Sequence, residues 1–150
     1  MVGDMIIVIG ETTGSPQSAR GLHRVLIGGL LMISAVFVFI TLGLHDAPLM
    51  AGRDAASVTG YVLAACGIMP IILGLLILKP RGPVRSSGQG DASFWQVAMG
   101  PVIAVWVVLE GGGIIGAVGA LLTGSLASVL TVAIALGCLV ALGPSHFENA

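Results

Sequence analysis

Charge is what this sequence has least of: only 9% of its residues are Asp, Glu, Lys or Arg, where a soluble domain carries about 25%. A soluble chain of this size needs a charged exterior, and these residues cannot supply one. The formal net charge is -1, and the six basic residues form no basic face, which excludes a nucleic-acid partner. Cysteine is scarce as well. Cys66 and Cys138 stand alone in apolar runs, with neither CxxC spacing nor a nearby His, so neither a disulfide framework nor a metal site is expected. Both read as small buried packing residues. The short apolar run from Met5 to Ile9 follows Asp4 rather than basic residues. A cleavable signal peptide is therefore not expected, and the first long apolar helix serves as the targeting signal.

What the chain does have is 56% hydrophobic residues, a mean hydropathy of +1.07 and 23 glycines. The expected fold class is all-α: an integral membrane bundle of four transmembrane helices in the lipid bilayer. A crossing needs about 20 apolar residues. Spans are expected at 25–44, 55–78, 94–118 and 122–143, within a transmembrane domain covering 23–143. Pro70 bends the second span rather than ending it, because lipid offers its backbone no better place. Residues 80–93, rich in Gly, Pro, Ser and Arg, read as a polar linker. Residues 1–22 form an N-terminal segment, with Thr12 to Ser18 flexible, and 144–150 a C-terminal tail. From Phe94 to Gly143 the run is too long for one crossing and fits two plus a tight turn, placed near Gly119 to Ser125. A rival partition breaks the helix at 110–113.

Orientation follows from the basic residues. Arg20 and Arg24 precede the first span and Lys79, Arg81 and Arg85 follow the second, leaving only Arg53 in the loop between them. The positive-inside rule then gives an N-in, C-in protein with the linker in the cytoplasm. Trp95 is expected in an aromatic belt at that interface, and Trp106 within the membrane.

One acid stands apart. Between Ala92 and Phe147 the only fixed charge is Glu110, followed directly by Gly111, Gly112 and Gly113. An ionised carboxylate at membrane depth costs roughly 2.5–3.5 kcal/mol on insertion scales, so it calls for a partner, a proton or water. Two roles fit it: proton or cation coupling, or anchoring the end of a short helix at a break. No second intramembrane charge exists in the chain to complete an ion relay. Two small-residue strips also call for close neighbours. Gly60, Gly67 and Gly74 recur every seven residues; Gly112, Gly116, Ala120, Gly124 and Ser128 recur every four. They suit packing inside the bundle or contact with a larger subunit.

Catalytic signatures are not found. His23, His45 and His146 do not pair on one helix face, as bis-histidine haem would need, and Gly111 to Gly119 lacks the Lys-Ser/Thr ending of a phosphate loop. A Ser-His-Asp set would be scattered over opposite sides of the membrane. The chain is read as non-enzymatic and without a cofactor.

Arg24-Val-Leu-Ile-Gly-Gly-Leu-Leu opens the first span, Tyr61 to Leu78 ends in Lys79-Pro80-Arg81, and Val108-Leu109-Glu110-Gly111-Gly112-Gly113-Ile114-Ile115-Gly116-Ala117 follows. Together these resemble the small membrane subunit of tripartite tricarboxylate transporters, the TctB type, over roughly 21–128. The family's Gly-Pro-Gly-aromatic-Pro element is replaced here by Ala51-Gly52-Arg53-Asp54-Ala55. The resemblance implies an accessory subunit in the bacterial inner membrane. It would bind a larger integral membrane subunit and work with a periplasmic solute-binding protein that delivers carboxylates. Val108 to Gly112 is also similar to the acid-Gly-Gly helix of DoxX-type four-helix proteins. Two alternatives stay open: an accessory subunit of a respiratory or photosynthetic electron-transfer complex, and a small self-assembling channel or carrier using Glu110.

Overall fold

The computed structural model describes residues 14–40, 49 and 53–149. The Met5 to Ile9 run, His45 and the rest of the loop before the second helix, apart from Leu49, lie outside the described residues.

Helix α1 (Pro16–Phe39) starts where Ser15 caps it. Its Oγ accepts the Ser18 backbone N–H at 3.1 Å, and Pro16 at the first helical position gives up a donor that would have no partner there. Residues 16–18, expected to be flexible, are therefore helical. Helix α2 (Arg53–Leu73) does not stop at Pro70; it widens into a π turn at Gly74–Leu78, tightens to a 3-10 turn at Lys79–Arg81 and closes at Gly82. The linker that follows is organised by Arg85, which donates to the Gln89 carbonyl at 2.8 and 3.0 Å and pairs with Asp91 at 2.6 Å.

Helix α3 (Asp91–Thr123) has 33 residues and is unbroken through Glu110 to Gly113. The rival partition with a break at 110–113 is thus not realised, and the turn falls within the expected Gly119 to Ser125 stretch. Three successive glycines weaken a helix, but an unbroken helix keeps the backbone groups of this stretch paired within the segment, which lipid favours. The end comes at Gly124, whose φ of 62° suits only glycine comfortably and whose N–H bonds the Ala120 carbonyl at 2.8 Å. Helix α4 (Leu126–Ala141) returns antiparallel to α3, and a short α5 (Pro144–Glu148) follows. Residues 144–148 are not a loose tail, because Pro144 and Phe147 are buried.

Three helical stretches, Pro16–Phe39, Asp54–Arg81 and Asp91–Thr123, are long and apolar enough to cross a membrane, while α4 is a shorter apolar helix. The protein is a helical membrane protein. Its core forms around α3: Phe94, Trp95, Ala98, Val102, Val105, Trp106 and Leu109 are buried there against Leu30 of α1, Ile71 of α2 and Leu139 of α4. Elsewhere α1 and α2 expose Val25, Met32, Phe39, Tyr61, Met69 and Leu76. Such a surface suits hydrocarbon and would be a liability in water.

The two tryptophans behave alike, against expectation. Trp95 is fully buried, with its indole N–H donated to Glu148 at 3.1 Å, instead of standing in a lipid-facing belt. Cys66 also departs from its reading: it is exposed on α2, and Cys138 is partly buried. Among the described residues both thiols are free.

Candidate functional site

Close backbone approach is the first element of the site. On α2, a methyl group at Gly60 would lie 2.5 Å from the Ser125 side chain, and one at Gly67 would lie 2.8 Å from the Gly112 carbonyl oxygen. Reciprocally, a methyl group at Gly112 would lie 2.5 Å from the Gly67 carbonyl oxygen. Each glycine thus turns a Cα–H toward the other's carbonyl, the weak contact that glycine-lined membrane helices use. At Gly116 a side chain would run into Ser128 and Thr131 of α4, while Gly74 sits in ordinary contact with Leu109. Ser128, fully buried, donates its hydroxyl to the Gly60 carbonyl at 3.1 Å and ties α4 to α2.

The structure brings Gly60, Gly67, Gly74, Gly112 and Gly116 to the α2–α3–α4 junction. It does not bring Ala120 and Gly124 there. Those two line a separate apolar cleft of about 340 Å³, with Ser34, Phe37 and Val38 of α1 on one wall and Val129, Val132 and Leu136 of α4 on another. The four-residue strip therefore divides, its lower half facing α2 and α4 and its upper half facing the cleft beside α1.

Glu110 stands on that second side. It is part-exposed on α3, two helical turns from Ala117 on the same face, with its carboxylate against the small surface of Gly29 on α1. A side chain at Gly29 would put its Cβ 3.3 Å from Oε1, so the glycine makes room for the acid. Glu110 has no hydrogen-bond or ion-pair partner among the described residues, where the ion pairs are Arg20 with Glu148 and Arg85 with Asp91. The acid is in mid-helix, so the reading of it as a helix-end anchor is corrected.

A third cluster was missed in the sequence. The short α4 ends inside the bundle, and two ring N–H groups meet its last carbonyls: His23 Nε2 lies 2.8 Å from the Leu139 oxygen and Trp106 Nε1 lies 2.7 Å from the Leu142 oxygen. The rings of His23 and Trp106 stack at a tilt, 4.8 Å between centroids, and Phe147 closes edge-on against Trp106. The sequence signal was weak: a His at the end of an apolar run and a Trp within one, with no spacing to link them.

Among the described residues, no three His, Cys, Asp or Glu side chains gather as a metal site would require. No family model matches the chain, and no curated protein or solved structure matches it.

Proposed function

We propose that this protein is a non-enzymatic accessory subunit of a larger membrane assembly, a solute transporter for carboxylates in a bacterial inner membrane. In this reading the three long helices and the shorter α4 all cross the bilayer, and the N- and C-terminal ends lie together on the basic, cytoplasmic side. The observation that carries the proposal is Glu110, an acid in the middle of the apolar helix α3 with no partner among the described residues. Such a group is stabilised by a donor from outside, and a larger integral subunit whose helix presents a cation or hydroxyl beside α1 and α3 would provide it. A periplasmic binding protein would deliver substrate to that larger subunit rather than to this one.

Purification from native membranes in mild detergent, followed by native mass spectrometry, tests the reading. A larger multispan subunit in fixed stoichiometry is expected, and Glu110→Gln should weaken its retention about tenfold, the size of a lost charge-assisted hydrogen bond. A lone chain under all mild conditions would refute it. Flux through liposomes holding this chain alone would instead identify a channel.

A further inference from the structure

A cleft of about 210 Å³ lies at the charged end of the bundle, lined by Arg20, His23 and Arg24 of α1 and by Pro144 and Ser145 at the start of α5. The three α1 residues share one face through i, i+3 and i+4 spacing. His23 forms the floor. Its Nε2 donates to Leu139, which fixes the ring and leaves its edge in the cleft. Arg24 is exposed and has no ion-pair partner among the described residues. Arg20 is paired, with Glu148 at 3.3 Å, and that carboxylate also holds the Trp95 indole. Among the described residues, two guanidinium groups against one carboxylate leave the site with one positive charge in excess. The Ser145 hydroxyl adds an uncharged donor on the opposite wall.

The depth of this cleft along the helices is also informative. Arg20, Lys79, Arg81, Arg85, Asp91 and Glu148 all collect at this end. Phe147 of α5 lies beneath the turn at Gly82, as a side chain there would reach within 3.9 Å of its ring. The fully apolar part of α1 begins at the next residue, Val25. A boundary between charged residues and unbroken hydrocarbon surface is where phospholipid headgroups lie.

We infer that the Arg20, Arg24 and Ser145 cleft binds the phosphodiester headgroup of an anionic phospholipid from the leaflet on the basic side. A phosphodiester carries one negative charge, which balances the excess, and its two non-bridging oxygens suit guanidinium donors. The lipid's acyl chains would run along the exposed apolar side of α1, past Val25 and Met32. The phosphate dianion would exceed the available charge, and a choline headgroup would bring its own cation toward two arginines.

The test uses the full chain, released from membranes and offered phosphatidylglycerol and phosphatidylcholine of identical acyl composition in equal amounts. Native mass spectrometry counts the lipids retained. Preferential retention of one phosphatidylglycerol is expected, falling about tenfold in Arg24→Gln, as when a charge-assisted hydrogen bond is lost. Arg81→Gln removes the same charge from the same end, outside the cleft, and should leave retention unchanged. Because Arg24 is exposed, its replacement leaves the packed core intact, and an unchanged circular dichroism melt verifies this. Equal retention of the two lipids, or an equal loss in Arg81→Gln, would overturn the inference. So would displacement of the lipid by inorganic phosphate, which would assign the cleft to a soluble anion.

Discussion

Neighbouring glycines in one triplet do different things. Gly111 faces open space, and nothing lies within 4 Å of a side chain built there, whereas the same methyl group on Gly112 would strike the Gly67 carbonyl. Gly111→Ala should therefore leave the melting temperature unchanged or raise it, with a gain of up to about 1 kcal/mol from better helix propensity. Gly112→Ala should lower it, with a loss of about 1–3 kcal/mol of stability, because backbone cannot move aside as a flexible side chain can. Melts of the two single variants in the same detergent compare them directly, and equal effects would show that α2 and α3 do not touch at this level. Glu110 has no partner among the described residues, so Glu110→Gln removes no bond seen there. The melt of the chain purified alone should stay level or rise. A marked fall would reveal an internal contact and weaken the proposed function.

Among the elements, α3 is the organiser and α4 the one that needs help. Having ended within the bundle, α4 exposes its final carbonyls to an apolar environment, and His23 and Trp106 satisfy them. Trp106→Phe keeps an aromatic ring but removes the N–H and part of the buried ring volume, leaving the Leu142 carbonyl unpaired, at a cost of at least about 1–3 kcal/mol. Thermal unfolding in detergent measures that cost; a loss below about 0.5 kcal/mol would mean that water reaches the carbonyl. Legibility in the sequence follows the same division. Apolar runs bounded by Arg24, Lys79 and the 80–93 linker marked the long helices, because hydrophobic length is a local property. The Thr123-Gly124-Ser125 cluster marked a turn because a left-handed glycine ends helices. Trp95, Cys66 and Glu110 were harder to read, since a residue's place around a helix depends on which neighbours surround it. The long uniform apolar character of α3 gives little indication of its inward face. The Ser15-Pro16 start of α1 was a local signal of a familiar kind, obscured by the polar residues around it.

For the whole molecule, the distribution of charge is the main constraint. The ends of α1, α2, α3 and α5 bring their charged groups to one pole, where Glu148 links Arg20 and Trp95 and so ties the C-terminal helix to the first and third. Glu148→Gln should loosen α5 without unfolding the bundle. Faster hydrogen exchange confined to 142–149 would show this, whereas protection unchanged there would mean that Phe147 alone secures the segment.

The brevity of α4 has a consequence for the membrane itself. Its 16 residues reach about 24 Å, less than a hydrocarbon layer of about 30 Å, while α3 beside it is longer than that layer. In the proposed four-span arrangement, lipids bordering α4 must shorten or tilt, producing a dent on one flank and none on the other. Hydrophobic mismatch of this kind favours thin regions of bilayer and neighbours with a matching short helix, so the protein's melting temperature should be higher in short-chain than in long-chain phosphatidylcholine.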